Sequence, residues 1–297
     1  MRYGVVDIGA NTVRLQVYSF KNKVLTSLFT KKTVAGLVTY IENGRFTEKG
    51  FKKLIMVLQG LFNTIDIFSL RKVFVFATAS LRSVENLAEV KKVVKKETGI
   101  DLIILSQEEE ARLGYLGIEL SFTDDAKTKQ GYTVDIGGGS IEIVQFKNRE
   151  ANVYLNLGFG CLSLYKDFVE LVLPTKQEIK RIEAFAKKKI KIGAKASTNT
   201  IFGIGGTMRA VGNILSEFLP NNINTRFSYN DVLILYKNLI SKNKDLFQVV
   251  LQVTPERVHT IIPGTIVVKN ILEKFSAKEV IVCNTGLREG VLLSKLK

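Results

Sequence analysis

Apolar residues along this chain switch between two periods. Val13, Leu15 and Val17 alternate with polar neighbours, as do Ile141 and Ile143, which is the two-residue repeat of a half-buried strand. These runs predict hairpins pairing 2–8 with 12–20 and 132–136 with 141–147, and a further strand near 24–30. Phe51, Leu54, Ile55 and Leu58 line one helical face behind the N-cap candidate Thr47, so 47–62 is expected to be a helix. A second helix over 84–98 is stopped by Gly99. Ser106-Gln107-Glu108-Glu109 has the spacing of a capping box and opens a helix toward residue 120. Short strands are expected over 73–77, 101–105, 200–204 and 279–283, and helices near 163–172, 175–192, 208–217, 230–241, 264–275 and after Gly286. The segment 220–229 reads as a loop. Strands alternating with helices predict an α/β fold. The polar, aperiodic stretch 121–131 is the expected boundary between a first domain (1–120) and a second (121–297), with 286–297 packing back on the first.

The two hairpins carry related tips. Asp7-Ile8-Gly9-Ala10-Asn11-Thr12 and Asp135-Ile136-Gly137-Gly138-Gly139-Ser140 each place an Asp at a strand end, then a glycine turn ending in a hydroxyl. Such a turn can aim backbone N–H groups and a hydroxyl at a phosphate beside a carboxylate. Three consecutive glycines carry a large conformational cost, which suggests that a ligand approaches the backbone closely. On the returning strands Glu142 occupies the second copy and Arg14 the corresponding place in the first.

Composition narrows the chemistry. The chain of 297 residues has a formal charge of +15, which implies attraction to polyanions or simply a lysine-rich surface. Lys91, Lys92, Lys95 and Lys96 form one basic helical face, and Lys187, Lys188, Lys189, Lys191 and Lys195 another. Neither interleaves aromatic residues for base stacking, so a polyanion without bases is favoured over nucleic acid. With His259 the only histidine and no C-x-x-C pairing of Cys161 and Cys283, a structural zinc site is not expected. The cysteine usage, the absence of a long apolar run and a start directly on a strand predict a cytoplasmic protein without a signal peptide or membrane span. Apolar Phe218, Leu219 and Phe227 either join the core or support a homodimer.

Three further segments carry candidate chemistry. Gly203-Ile204-Gly205-Gly206-Thr207 is a glycine turn that opens a helix, a general anion site or a close-packed turn. In Glu108-Glu109-Glu110, the capping box accounts for Glu109 and first-turn preference for Glu108. Glu110 is left as either a solvated helix end or a base that orients water. Arg82, in Ala77-Thr78-Ala79-Ser80-Leu81-Arg82, is either a surface residue or a phosphate ligand. His259 reads as structural.

In this order, the motifs resemble those of the exopolyphosphatase / guanosine pentaphosphate phosphohydrolase family. The family patterns D-I-G-S-N-S-x-R, A-T-A-x-L-R, S-G-x-E-E-A-R-L, D-I-G-G-G-S-x-E, G-x-G-G-T, L-P-G and G-L-R-E-G align with 7–14, 77–82, 106–113, 135–142, 203–207, 262–264 and 286–290. The resemblance implies an actin-like, sugar-kinase-like fold of two ribonuclease-H-like domains with an interdomain cleft. It implies Mg2+-dependent hydrolysis of a terminal phosphoanhydride, on polyphosphate or on guanosine pentaphosphate. Glu110, Asp135 and Glu142 would then be catalytic, with Asp7, Asp135 and Glu142 toward the metal. Gly9, Asn11, Thr12, Arg82, Gly137, Gly138, Gly139, Ser140, Gly205, Gly206 and Thr207 would bind phosphate. Ala10 stands where the pattern has Ser and Ile141 where Thr is common. The chain ends soon after Gly290, without the helical extension of longer members, so strong processivity on long polyphosphate is not expected. A non-catalytic polyphosphate or nucleotide sensor and an ATP-using member of the same fold are the readings of other classes.

Overall fold

The computed structural model describes residues 1–297 except Lys23, residues 120–128, Arg149, residues 194–195, Asn221 and Lys297. Most of the expected boundary stretch therefore lies outside the described residues. The chain divides into two units, Met1–Leu113 with Leu287–Lys297, and Gly114–Gly286.

Unit 1 runs through β1 (Arg2–Ile8), β2 (Thr12–Lys21), β3 (Val24–Val34), β4 (Ile41–Glu42), β5 (Arg45–Phe46), α1 (Glu48–Ile65), β6 (Lys72–Ala77), α2 (Ala79–Arg82), α3 (Leu87–Thr98), β7 (Leu102–Ile104) and α4 (Gln107–Glu119). The division between the units falls inside α4. The main sheet has the order β3-β2-β1-β6-β7. β1 is antiparallel to β2 and parallel to β6. Side chains alternate across a strand, and β1 uses both faces. Val6 and Ile8 join a core with Leu54, Leu58 and Leu61 of α1. Tyr3 and Val5 join Val291 and Leu292 of the C-terminal helix Leu287–Leu296. Burial of each such Leu or Val stabilises by roughly 1.5–3 kcal/mol. The capping box forms as the sequence predicts: Ser106 N–H donates to Glu109 Oε2 at 2.8 Å, and Glu109 N–H to Ser106 Oγ at 3.1 Å.

Unit 2 repeats the arrangement. After the end of α4 come β8 (Gln130–Ile136), β9 (Ile141–Lys147), β10 (Glu150–Leu157), α5 (Cys161–Phe168), α6 (Lys176–Lys189), β11 (Thr200–Ile204), α7 (Gly205–Phe218), β12 (Arg226–Ser228), α8 (Tyr229–Ile240), α9 (Lys244–Val253), α10 (Ile261–Phe275) and β13 (Glu279–Val282). The sheet order is β10-β9-β8-β11-β13-β12. β8 is antiparallel to β9 and parallel to β11, as β1 is to β2 and β6. Each unit therefore has the ribonuclease-H-like arrangement, and the α/β fold class stands. α10 is apolar nearly all round and buried accordingly, from Ile261 and Ile262 to Ile271 and Phe275. Phe227 is buried in this core, and Phe218 and Leu219 pack partly buried against it. Several elements were not anticipated, among them the short β4, β5 and α2. β12 sits in the expected loop 220–229, and β10 and α9 fall where no element was assigned. α9 is capped by Asn243, whose Oδ1 accepts from Leu246 N–H at 2.9 Å.

Candidate active site

The first turn lies between β1 and β2. Asp7 pairs with Arg14 across the ladder. Gly9 N–H donates to the Thr12 carbonyl at 3.0 Å and closes the turn. The neighbouring carbonyls are taken up by the segment that follows β3. Ala35 and Gly36 N–H donate to the Asn11 carbonyl at 2.8 and 2.9 Å, and Val38 N–H to the Ala10 carbonyl at 3.1 Å. In a planar trans peptide the N–H points opposite the C=O. The amides of Asn11 and Thr12 are thus turned away from that segment.

The second turn has the same construction. Asp135 pairs with Glu142 across β8 and β9, so the predicted Arg14/Glu142 exchange holds in register. Gly137 N–H donates to the Ser140 carbonyl at 2.9 Å. The first amides of α5 donate back to the loop: Cys161 to the Gly137 carbonyl at 3.0 Å, Leu162 and Ser163 to the Gly138 carbonyl at 2.9 and 3.0 Å. By the same planarity, the N–H groups of Gly138 and Gly139 face away from α5. A side chain at Gly160 would break this seat, because its first carbon would lie 2.6 Å from the Gly138 carbonyl carbon. Ser140 and Glu142 are buried, 2% and 3% exposed.

The third turn joins the second. Gly205 has φ +85°, and a side chain there would collide with Asp135 Oδ1. Asp135 thus lies against the first residue of α7, where free amides favour an anion. The Arg257 guanidinium occupies the space beside Gly206. Thr207 Oγ1 stands 3.6 Å from Cys161 Sγ, at the start of the helix that seats the second turn. Unit 2 therefore gathers Asp135, Glu142, residues 137–140 and residues 205–207 around one shared set of contacts.

Two partly buried ion pairs of unit 1 involve the candidate residues. Arg82, the last residue of α2, donates through Nη1 to Glu110 Oε2 at 2.9 Å and to the Leu105 carbonyl at 3.1 Å. Glu108 instead pairs with Arg112 at 3.0 Å on an exposed face. In the second pair, Arg288 Nη1 lies 3.3 Å from Asp7 Oδ2. Burial raises the Asp7 carboxyl above its usual range, against the lowering effect of Arg288 and Arg14. Tyr18 hydroxyl donates to Glu289 Oε1 at 2.5 Å beside this pair.

Among the described residues no group of three or more His, Cys, Asp or Glu is gathered as a metal site. Magnesium commonly takes only one or two carboxylates, with waters and substrate phosphates completing its shell. Asp135 and Glu142, opposite each other on adjacent strands, fit that habit. His259 packs edge-on against Tyr165 with ring centres 5.0 Å apart, and burial lowers its pKa. Lys91, Lys92, Lys95 and Lys96 on α3 are exposed, as are Lys187, Lys188, Lys189 and Lys191. Lys195 lies outside the described residues. No helix among the described residues is long and apolar enough to cross a membrane. Sequence reasoning gave no role to Gly160, Cys161, Arg257 or Arg288. Arg257 was visible only as a lone basic residue before His259, and Arg288 only as a letter of the last motif.

Residues 16–297 match the Ppx/GppA phosphatase family. Over its whole length the chain is 26% identical to exopolyphosphatase 1 of Mycobacterium tuberculosis and covers 88% of it. It is also 26% identical to exopolyphosphatase 1 of Mycobacterium leprae, covering 90% of it. Among solved structures, the Aquifex aeolicus member of the Ppx/GppA family aligns with a TM-score of 0.80 at 28% identity, over 100% of this chain and 97% of that one. An exopolyphosphatase of Cytophaga hutchinsonii aligns over 100% and 98% with a TM-score of 0.86 at 21% identity, a likeness of fold alone.

Proposed function

Because the chain belongs to the Ppx/GppA phosphatase family, we propose that it is an exopolyphosphatase, hydrolysing the terminal phosphoanhydride of inorganic polyphosphate to release orthophosphate. The observation that carries this reading is the glycine turn after β8. Its carbonyls are held by the first amides of α5, so Gly138 and Gly139 turn their own amides the other way, prepared for phosphate oxygens. Phosphoryl transfer asks mainly for positioning and charge neutralisation, and backbone amides fixed in advance supply both. In unit 2 the amides and hydroxyls of residues 137–140 and 205–207 bind phosphate oxygens, and the Arg257 guanidinium beside Gly206 adds a cation. In unit 1 the amides of Asn11 and Thr12 do the same. Glu110 orients the attacking water and accepts its proton. Asp135 and Glu142 would hold Mg2+, which when bound neutralises phosphate charge. The net charge of +15 supports a long polyanion as substrate.

Guanosine pentaphosphate presents the same terminal phosphate to the same groups and is the second reading. The test is phosphate release with Mg2+ from medium-length polyphosphate and from guanosine pentaphosphate at equal terminal-phosphate concentration. A higher kcat/KM on polyphosphate is expected. A preference for the nucleotide would replace the lead reading with the second. Binding of polyphosphate without release of phosphate would replace both with a sensor.

A further inference from the structure

Asp7 and Asp135 are matched in sequence and in strand position, yet their surroundings differ. Asp135 faces a carboxylate, Glu142, across the ladder, whereas Asp7 faces a guanidinium, Arg14. Asp7 also has a second cation, which comes from far along the chain. Arg288 Nη1 lies 3.3 Å from Asp7 Oδ2, with the two side chains only 14% and 19% exposed. The helix that carries Arg288 is anchored just after that residue. Val291 and Leu292 are buried with Tyr3, Val5 and Tyr18, and Glu289 accepts the Tyr18 hydroxyl hydrogen bond. Arg288 Nε is buried with no hydrogen-bond partner. Its guanidinium also interacts with the Tyr18 hydroxyl and reaches Asp7 through the Nη1 end.

We infer that Arg288 is a positioning residue which holds Asp7 as an internal counter-ion, so that Asp7 braces the Gly9 turn and does not serve as a ligand to the metal ion. The carboxylate sits two residues before Gly9, on the strand that delivers the turn. With Arg14 and Arg288 beside it, its charge is met inside unit 1. A divalent cation at that point would have to displace a guanidinium held by buried packing, and would meet a second one across the ladder. Glu289 adds a carboxylate to the cluster, but it is engaged by Tyr18. The inference deepens the proposed hydrolase reading, because it concerns how one of that reading's phosphate turns is kept in shape.

The experiment uses the full chain and three readouts. The first is a double-mutant cycle on unfolding with Asp7→Asn, Arg288→Met and both together. The two changes are expected to be non-additive, since each alone strips a partly buried charge of its partner. The second is Mn2+ binding, read as loss of the free-ion electron paramagnetic resonance signal. Asp7→Asn is expected to shift the Mn2+ affinity by less than about twofold, and Glu142→Gln to weaken it about tenfold or more. The third is kinetic: Arg288→Met should lower kcat about tenfold to a hundredfold with KM little changed, and Arg288→Lys should recover part of the loss. Additive stabilities, tenfold weaker Mn2+ binding in Asp7→Asn, or a wild type that binds no Mn2+ would each overturn the inference. Wild-type protein that releases no phosphate from either substrate would instead defeat the functional reading, leaving the cycle and the Mn2+ comparison to judge the Asp7–Arg288 pair.

Discussion

Arg82 and Glu110, 28 residues apart, meet through Nη1 and Oε2 at 2.9 Å, and the same nitrogen also donates to the carbonyl of Leu105. The guanidinium thus ties the end of α2 to the entry of α4 and orients the Glu110 carboxylate, the group proposed to act on the water. Glu110→Gln is expected to lower kcat by about 10²–10⁴-fold, with KM little altered, in the phosphate-release assay. An unchanged kcat would remove Glu110 from the mechanism.

Arg82→Lys tests the tie itself. An ammonium is a point charge on a flexible stem, less pre-organised than the planar guanidinium whose Nη1 serves both acceptors. The side chains are 23% and 12% exposed, so solvent screens the pair in part. Arg82→Ala is expected to cost about 1–2 kcal/mol in urea unfolding, with Arg82→Lys costing less. Equal stability in all three proteins would show that the pair contributes nothing to holding α4.

Gly160→Ala addresses the seat of the glycine turn. The added carbon would lie 2.6 Å from the Gly138 carbonyl carbon, so α5 must back away from the loop carbonyls it now holds. The expected cost is about 1–3 kcal/mol in unfolding free energy, accompanied by a raised KM for polyphosphate. A variant with lowered stability and unchanged KM would separate the turn from substrate binding.

Gly205→Ala combines two faults, a left-handed φ of +85° and a collision with Asp135 Oδ1. The backbone part alone costs about 1–2 kcal/mol. Displacement of Asp135 should lower kcat as well, and the half-saturating Mg2+ concentration should rise. Full activity would exclude Asp135 from the site.

Cys283 offers a test by pH. Burial pushes its thiol from the ordinary 9.0 up to about 12. The native state therefore keeps the proton where the unfolded chain releases it, and stability should fall as pH rises from about 9 toward 12. Cys283 should resist iodoacetamide at pH 8 in the native protein and react after unfolding. Rapid native-state labelling of Cys283, read by peptide mass, would contradict its burial.

Local signals in the sequence were read well. The capping box at Ser106 and Glu109 is a contact across three residues, and alternation at Val13, Leu15 and Val17 is set by the pleat itself. The repeat of the two Asp-Gly turns survived into matching ladder register because both partners of each pair lie within a hairpin. What escaped was tertiary. Arg288 reaches Asp7 across 281 positions, and no local periodicity encodes such a meeting. Arg257 acquires its place at Gly206 only when α7 and the turn before α10 pack together. β12 was lost because three residues, Arg226–Ser228, are too few to establish an alternation. The division of the chain between Leu113 and Gly114 sits within the continuous helix α4, where composition gives no mark.

The helix at Leu287–Leu296 has a consequence for the birth of the protein. Unit 2 is a single uninterrupted stretch, so its closure needs no residue beyond Gly286. Unit 1 differs: its sheet emerges first but must wait, with Tyr3 and Val5 lacking their cover, until every residue of unit 2 has followed. At about 5–20 residues per second, that wait is on the order of ten seconds. Unit 1, begun before unit 2 along the chain, is thus completed after it, and its long-range closure should be the slow step of the two.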